Sequence, residues 1–419
     1  MTDPIIAAFR QRDRTATRER KRMASMEGLL TLDDRGQPVP SLANAIALFA
    51  ADENLRDLAG YDEFRDQAYL LRPPPVAQDG DTPAPGPYPR AWLRSDVALI
   101  TAYLQRTAMP RIKRDIVEDA MEAEASRSRF HPIRAYLDGL EWDGLSRIDT
   151  WLHSAFGTPL TPYTQAIGCK FLIAAVRRVR RPGVKFDHAP VAQGPQGAGK
   201  SSTLAALFGE WFSDALPDNL GDKDAAMALR GVWGLEMAEL TQILATEAEA
   251  VKAFLTRTVD RYRPPYGRQV IEIPRQGVLF GTTNAQEWLR DATGNRRWWP
   301  FDCLSCNPEW VKENRDQLWA EAAAREKAGE THWLDDQEAK DEAQQNQEDR
   351  MIEDPWHGKI AEYVTGLGKI TVPSILENAI SMPVAMQNRA AQMRVASILT
   401  RMGWQSKRSG TSRFWLAPQ

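Results

Sequence analysis

The chain has 419 residues, enough for two or three domains, and its 43% hydrophobic and 26% charged residues are typical of a globular protein. No run approaches the roughly 18 apolar residues of a membrane span, and no apolar segment follows the amino terminus as in a secretory signal. Three cysteines are too few for a disulfide framework, so we expect a cytoplasmic protein, and its net charge of −3 hides strongly basic and acidic segments.

The first 150 residues are predicted to hold a basic arm and two helical pieces. Residues 1–26 are rich in arginine and predict a flexible arm, either for nucleic acid or as plain surface. Residues 27–72 predict a small helical unit, because apolar residues recur at positions 42, 45, 46 and 49. The proline-rich residues 73–89 predict a linker, and residues 90–150 resume with helical patterns.

A phosphate-binding loop is predicted where Gly194, Gly199, Lys200 and Ser201 match the pattern GxxxxGK[S/T]. A predicted strand precedes this loop and a predicted helix follows it, whereas the alternative is a glycine-rich turn with a chance lysine. Backbone amides would hold a triphosphate, Lys200 would contact its β and γ oxygens, and the Ser201 hydroxyl would bind Mg²⁺. The predicted nucleotide contacts are Gly194, Pro195, Gln196, Gly197, Ala198, Gly199, Lys200, Ser201 and Ser202.

The apolar segment 231–240 ends on two carboxylates, Glu236 and Glu239, and is predicted to be a strand of the same site. One carboxylate would bind Mg²⁺, with Glu236 the predicted ligand beside Ser201, and the other would orient the attacking water. The residues alone do not assign the two roles, and both could be surface glutamates at a helix start. Asn284 ends a second predicted strand, where its amide could contact the γ-phosphate.

Two basic segments follow along the chain. Residues 252–268 place arginine and tyrosine around a Pro-Pro turn, which predicts a DNA-contacting loop, with internal ion pairs as the alternative. The predicted contacts there are Arg257, Arg261, Arg263 and Arg268. Arg296 and Arg297 follow a Gly-Asn turn and precede a Trp-Trp-Pro-Phe run, an arrangement that would hold a guanidinium rigidly.

The last part of the chain is predicted to hold a linker and a second DNA-binding piece. Residues 331–350 are acidic and predict an exposed linker helix. Residues 351–419 predict three helices and a basic hairpin, the order of a winged-helix domain, with oligomerisation or packing as the alternative role. Its predicted DNA contacts include Arg394, Lys407 and Arg408. Before these regions, Cys303 and Cys306 form a CxxC pair without the second pair that zinc needs.

The ordered motifs GPQGAGKSS, LEMAEL, VDRYRPPYGR, PRQGVLFGTTN and DATGNRRWWPF resemble the virulence-associated E family of phages and mobile elements. The resemblance covers about residues 90–330 and includes the upstream stretch HPIRAYLDGLEWDGLSRI. The family is related to superfamily 3 helicases and viral primase-helicases. The resemblance therefore implies an α/β P-loop NTPase core of the AAA+-like type at residues 151–330, with ATP and Mg²⁺ as cofactors.

The resemblance also implies roles for single residues and a function. Gly194 to Ser201 take the Walker A role, Glu236 and Glu239 the Walker B position, Asn284 the sensor, and Arg296 or Arg297 the arginine finger. The implied function is an ATP-driven DNA translocase or helicase, working as a ring, expected to be a hexamer, on single-stranded or forked DNA.

Too few residues precede the shared region for the primase domain that many members carry, so priming is expected of a separate protein. Two other functions remain open. One is a nucleotide-controlled switch that binds or loads DNA without unwinding it. The other is a small-molecule P-loop kinase, which the basic segments disfavour.

Overall fold

The computed structural model describes residues 28–76, 86–217, 220, 223–263, 269–289, 294–409 and 412–418. The predicted basic arm and Arg268 lie outside the described residues. The helices are α1 Leu42–Ala51, α2 Arg94–Thr107, α3 Arg114–Arg127, α4 Pro132–Asp138, α5 Trp151–Phe156, α6 Pro162–Arg180, α7 Lys200–Phe208, α8 Lys223–Met227, α9 Leu240–Thr256, α10 Pro308–Lys327, α11 Gln337–Glu348, α12 His357–Val364, α13 Val372–Asn378 and α14 Arg389–Arg401. The strands are β1 Ala59–Asp62, β2 Gln67–Leu70, β3 Arg129–Phe130, β4 Ala189–Gln193, β5 Phe212–Ser213, β6 Gly234–Met237, β7 Val259–Tyr262, β8 Ile271–Pro274, β9 Val278–Thr283, β10 Trp298–Asp302, β11 Lys369–Ile370, β12 Gln405–Ser409 and β13 Ser412–Leu416. Within the described ranges, no helix is long and apolar enough to cross a membrane.

The amino-terminal region folds around one apolar core that includes a small sheet. Strands β1 and β2 form an antiparallel hairpin, and β3 pairs parallel to β1 on its other side. Helix α3 packs against α1, α2 and β1. The buried cluster takes Leu48 from one side of the proline-rich segment and Ile100 and Met121 from the other. The structure therefore differs from the predicted separate, purely helical unit at 27–72, because its sheet and the helices of both segments cover a shared core.

A five-stranded, entirely parallel sheet forms the centre of the chain, in the order β10-β4-β9-β6-β5. Helices α5, α6, α7 and α10 cover one face, and α8 and α9 lie on the other. Because both faces are covered, β9 is buried at every position and its sequence is a continuous run without alternation. On β10, Trp299 and Phe301 enter the first cluster and Trp298 enters the second, as the alternation of a strand requires.

The parallel order brings the carboxyl ends of β4, β6 and β9 to one edge of the sheet. Strand β9 lies between the other two, and its Gly281 pairs with Val191 on one side and Met237 on the other. Open α/β sheets bind ligands outside the carboxyl ends of their strands. The glycine-rich loop, the carboxylate of β6 and the polar end of β9 therefore meet at the edge where a ligand is expected.

A two-stranded hairpin, β7 and β8, is inserted between α9 and β9. Its base is fixed by Arg275, a side chain only 1% exposed, which donates to the two carboxylate oxygens of Asp260 at 2.6 and 3.0 Å. The same guanidinium donates to the carbonyl of Phe254, and its central carbon lies 4.5 Å from the centre of that ring. Because this pair is buried and bidentate, it fixes the direction in which the hairpin leaves the core.

The acidic segment 331–350 packs on the core instead of forming an exposed linker. Helix α11 lies against α6 and β10 and buries two alanines. The side-chain amide of Gln347 donates to the Trp298 carbonyl at 2.9 Å, and Arg350 donates to the side-chain oxygen of Gln193 at 2.7 Å. The predicted linker therefore covers the β10 edge of the sheet. Its buried residues are too small to mark an apolar stripe in the sequence.

The carboxyl-terminal region, residues 357–416, has its own apolar cluster, formed by α12, α13 and α14 and an antiparallel sheet in the order β11-β13-β12. Val395 and Ile398 of α14 are buried against Trp415 of β13 in this cluster. The elements are three helices followed by a hairpin, with a short strand, β11, between the first two helices.

Candidate nucleotide-binding site

The glycine-rich loop begins at the end of β4 and leads into α7. Gly197 and Gly199 have φ angles of 75° and 96°, a left-handed backbone that side-chain-bearing residues rarely adopt. At Gly194 the backbone of Cys303 lies so close that an added Cβ would overlap the Cys303 carbonyl. The Gly194 amide also donates to the Thr283 carbonyl at 3.1 Å. These three glycines explain why the loop can bend at the carboxyl ends of the strands and pack closely against the residues after β10.

Lys200 lies at the start of α7 and folds back over the loop. Its Nζ donates to the carbonyl oxygens of Gly194 and Pro195 at 2.9 and 2.8 Å. The adjoining cavity has a volume of about 340 Å³. It is lined by Gln196, Gly197, Ala198, Gly199, Lys200, Ser201, Ser202, Ala238, Glu239, Thr282, Thr283 and Asn284. The structure thus brings most of the predicted nucleotide contacts to one cavity, together with Glu239 and Asn284.

The carboxylate of Glu236 is buried directly beside the loop. The residue is 0% exposed, and its Oε1 accepts hydrogen bonds from the Ser201 hydroxyl at 2.9 Å and the Thr282 hydroxyl at 2.6 Å. Its Oε2 is buried and has no hydrogen-bond partner among the described residues. A buried carboxylate oxygen without a partner is costly, and such an atom is where a bound cation is expected. The donor set of Ser201 and Glu236 therefore fits a hard, oxygen-preferring cation such as Mg²⁺.

Glu239 differs from Glu236 in both exposure and backbone. It is exposed at the mouth of the cavity and has a φ angle of 50°, which is uncommon for a residue with a side chain. Strained backbone of this kind is frequent at functional sites. Asn284, also exposed, follows β9 on the same side of the cavity. The structure thus separates the two glutamates, one buried against Ser201 and one free to contact solvent or ligand in the cavity.

Arg296 and Arg297 lie at the amino-terminal ends of the parallel strands, whereas the glycine-rich loop lies at their carboxyl-terminal ends. They form a short 3₁₀ turn just before β10, which runs parallel to β4 with Trp298 paired to Ala189. Arg296 is exposed and lines a second cavity, of about 710 Å³, that also contacts Lys340 and Arg401. Arg297 is half-buried, and its Nε is enclosed without a partner among the described residues. Neither arginine lines the cavity of the glycine-rich loop in its own chain.

The predicted DNA-contacting arginines of the middle segment lie on and before the β7–β8 hairpin. Arg261 is exposed and its Nε is 3.6 Å from Glu272 on the paired strand, a weak surface ion pair. Arg257 is half-buried, with its carbonyl accepting from the guanidinium of Arg178. Arg263 is exposed and directly follows the last residue of β7. Arg261 and Arg263 are therefore exposed basic residues on or next to a hairpin with a rigid base.

The basic residues of the carboxyl-terminal region fall into two environments. Arg394 of α14 donates to both carboxylate oxygens of Asp354 at 2.8 Å, and its guanidinium carbon lies 4.0 Å from the Trp356 ring centre. Lys407 and Arg408 are exposed on β12 and line an open depression in the hairpin. The structure thus gives Arg394 an internal partner, whereas the two hairpin residues face solvent.

Thr282 is a site residue that sequence reasoning missed. Its hydroxyl donates the shorter of the two hydrogen bonds to Glu236. The hydroxyl of the neighbouring Thr283 lies 2.7 Å from the hydroxyl of Thr241 at the start of α9. The signal was present, because two threonines end an otherwise apolar strand immediately before Asn284. Polar residues at the carboxyl end of a buried parallel strand indicate a site in the same way as the asparagine did.

The chain is an α/β protein with a parallel sheet and a glycine-rich loop at the carboxyl ends of its strands. This architecture is consistent with an NTPase-like core. The family model of the virulence-associated protein E-like domain matches residues 137–352, just over half of the chain. The chain belongs to this family, as the motifs had indicated.

Comparison with curated proteins gives no match. Among solved structures, "The A form apo structure of NrS-1 C terminal region-CTR(305-718)" is similar at 13% identity, with a TM-score of 0.37, over 67% of this chain and 77% of that chain. A second A form apo structure of that region gives 13% identity and a TM-score of 0.39, over 67% of this chain and 78% of that chain. Both likenesses are distant.

Proposed function

We propose that this chain is an ATP-dependent DNA translocase or helicase that acts in the replication of a phage or other mobile genetic element. The observation that carries the proposal is the convergence of Lys200, Ser201 and the unpartnered Glu236 oxygen at the carboxyl edge of the sheet. A loop of backbone amides, a cation and a buried carboxylate are the groups that a Mg²⁺-bound triphosphate needs.

Each of the residues at the carboxyl ends of the strands would then have a distinct role in binding or hydrolysing ATP. Lys200 exchanges the loop carbonyls for phosphate oxygens, because the neutral carbonyls that accept its hydrogen bonds are weaker acceptors than an anion. Ser201 and Glu236 would hold Mg²⁺, which supplies positive charge against the phosphates when bound. Glu239, exposed in the same cavity, would orient the attacking water and accept its proton, and the side-chain amide of Asn284 would contact the γ-phosphate and help to position that water.

The proposed DNA contacts are the exposed basic groups of the two hairpins. The β7–β8 hairpin projects from the ATPase core on a base fixed by Arg275, so it would move with the core as nucleotide is bound and hydrolysed. In the carboxyl-terminal region, the order of helices and strands supports a winged-helix-like domain in which Lys407 and Arg408 contact phosphates. Arg394 contributes less, since its charge is already neutralised by Asp354.

The proposed assembly is a ring, for which a hexamer is the expected size. The observation that supports it is the position of Arg296, which is exposed at the amino-terminal end of β10, away from the glycine-rich loop at the carboxyl-terminal end of β4. A finger in that position can complete the site of a neighbouring chain.

A nucleotide-controlled switch that binds or loads DNA without unwinding is the second candidate. The basic β12–β13 hairpin favours this switch, because it could bind DNA without any movement of the β7–β8 hairpin. Forked-duplex assays separate the two functions. Strand separation coupled to ATP hydrolysis supports the helicase, whereas DNA-stimulated hydrolysis without strand separation supports the switch, and hydrolysis that is indifferent to DNA contradicts both.

Lys200→Ala tests the ATP site, with Lys312→Ala on the exposed face of α10 as the matched control. We expect Lys200→Ala to abolish hydrolysis, because the loop offers no other cation, and to leave DNA binding largely intact. Lys312→Ala should behave as wild type. Wild-type hydrolysis by the Lys200→Ala protein would remove the glycine-rich loop from the mechanism.

The DNA contacts are tested by the salt dependence of binding. Replacing Arg261, Lys407 and Arg408 one at a time by Ala should lower the slope of log affinity against log salt by about 0.7–0.9 for each phosphate that the variant no longer neutralises. Arg394→Ala is the matched control and should change the slope less, because Asp354 already neutralises that arginine. If the slopes of the Arg261, Lys407 and Arg408 variants stay equal to the wild-type slope, these residues do not contact phosphate and belong to internal pairing.

A further inference from the structure

Two cysteines lie directly against the glycine-rich loop. Cys303 and Cys306 follow β10, and their sulfur atoms are 3.3 Å apart. A disulfide bond is about 2.05 Å long, so a small movement of one side chain would close it. Among the described residues, no group of three or more His, Cys, Asp or Glu side chains is placed to hold a metal ion. The pair therefore stands as an isolated dithiol.

Both cysteines contact loop glycines. The Cys303 carbonyl packs on Gly194 so closely that no side chain would fit there. A Cβ on Gly199 would lie 3.3 Å from the Cys306 Cβ, which is tighter than ordinary contact. The dithiol thus abuts the loop at its first glycine and at the glycine before Lys200.

The two thiols differ in reactivity. The hydrogen bond from Cys303, together with Thr203 and the positive charge of Lys200, lowers the pKa of Cys306, which is only half-buried. The same hydrogen bond and burial raise the pKa of Cys303. A partly exposed thiol with a lowered pKa in a positive environment is the reactive kind. The third cysteine, Cys169, is buried, and burial raises its pKa.

We propose that Cys303 and Cys306 are a thiol–disulfide modification site, oxidised by a low-molecular-weight disulfide, and that the bond between them lowers nucleotide binding by the adjoining loop. The second half of this inference rests on the proposed ATP site, whereas the disulfide itself does not.

The oxidation proceeds by two exchanges. The Cys306 thiolate attacks one sulfur of the small disulfide, which forms a mixed disulfide and expels one thiolate. Cys303 then loses its proton and attacks the Cys306 sulfur, which forms the internal bond and expels the second thiolate. The protein loses two electrons and two protons, and the small disulfide becomes two thiols. After the first exchange Cys306 no longer carries the charge that held the Cys303 proton, so the second exchange is easier.

Closing the bond must move Cys306 more than Cys303. The Cys303 amide donates to the Gln193 carbonyl at 2.7 Å and its carbonyl is fixed against Gly194. Cys306 therefore moves toward Cys303 and away from its contacts with Gly199 and Thr203. A loop that binds phosphate through aligned amides loses affinity when its packing changes. By thermodynamic reciprocity, bound nucleotide must oppose oxidation by the same factor.

The full-length chain is equilibrated in mixtures of oxidised and reduced glutathione, trapped with an alkylating agent and measured by intact mass and peptide mapping. Binding of a fluorescent, non-hydrolysable ATP analogue is measured in the oxidised and reduced states. We expect a Cys303–Cys306 link, a fall in analogue affinity of roughly tenfold, within the usual range of coupling between sites, and oxidation that the analogue opposes. Dithiothreitol should restore the affinity.

Cys306→Ser is the test variant, since serine keeps a group that can bond to Thr203, and Cys169→Ser is the matched control. The Cys306→Ser protein should bind the analogue equally with and without oxidant, whereas Cys169→Ser should respond as wild type. A pair that stays reduced, a link through Cys169, or a link that leaves affinity unchanged overturns the inference. If the reduced protein fails to bind the analogue, the ATP site is refuted, and the mass measurement still decides whether the disulfide forms.

Discussion

Arg296 is the residue whose replacement tests the proposed ring most directly. Strands β4 and β10 are parallel and paired from Trp298 with Ala189 to Asp302 with Gln193. Four steps of about 3.3 Å make this ladder roughly 13 Å long, with Arg296 before its start and the glycine-rich loop beyond its end. An arginine side chain cannot span that distance along the sheet. A catalytic role for Arg296 therefore requires a neighbouring chain.

The expected size of the effect follows from this geometry. An arginine finger contributes about 10³–10⁵ in rate, which corresponds to about 4–7 kcal/mol of transition-state stabilisation. Arg296→Ala should lose that factor in kcat while nucleotide affinity changes little. Arg297→Ala should lose less, because Arg297 is half-buried with its Nε enclosed. Arg296→Lys should recover only part of the rate, since lysine keeps the charge but not the planar fork.

The assay is a titration of two inactive proteins against each other. Lys200→Ala chains keep the finger and Arg296→Ala chains keep the phosphate loop, so mixed assemblies should contain some complete sites and regain part of the hydrolysis. Native mass spectrometry with ATP analogue and single-stranded DNA confirms that mixed assemblies form. The shared-site reasoning is refuted if such assemblies stay inactive, or if isolated monomers hydrolyse ATP at the full rate.

Two predictions concern packing around the site. Gly194→Ala places a methyl group against the Cys303 carbonyl, so the loop or the end of β10 must shift. Thermal unfolding should then occur at a lower temperature, and binding of the ATP analogue should weaken. Unchanged values for both would contradict the tight packing. Arg275→Met leaves the buried Asp260 carboxylate without its partner and should cost about 3–5 kcal/mol in urea unfolding, whereas a cost below about 1 kcal/mol would show that the hairpin base does not depend on this pair.

The elements with strong local signals were predictable from the sequence. The glycine-rich loop, the strand before it and the helix after it have patterns that local residues decide, and the structure has β4 at Ala189–Gln193 and α7 at Lys200–Phe208 on the two sides of the loop. The segment 231–240 illustrates the limit, since only Gly234–Met237 is a strand. Glu239 lies beyond that strand in a left-handed conformation, which an apolar pattern cannot encode.

The features that the sequence did not predict, such as strand β1 and the packing of helix α11, depend on distant partners. Strand β1 pairs with β3, whose residues follow nearly 70 positions later, so no window of sequence contains both. Helix α11 shows only small buried residues, and its position on the sheet edge is decided by Gln347 and Arg350 bonding to β10 and β4. The two threonines before Asn284 indicate a polar strand end, but the hydrogen bond from Thr282 to Glu236 depends on the pairing of β9 with β6. Non-local pairing, rather than weak propensity, explains these differences.

The pairing of β10 limits how the proposed ring could work. A slip of one residue along β4 would turn Trp299 and Phe301 out of their apolar cluster, so the register is strongly specified. The same strand has the exposed Arg296 before its first residue and the Cys303 carbonyl packed on Gly194 after its last. Within one chain the separation between finger and loop is therefore constant. In the proposed ring, a complete ATP site would then require movement of one chain against another. That movement would drive DNA translocation, and the β7–β8 hairpins would move with their cores because Arg275 and Asp260 fix their bases.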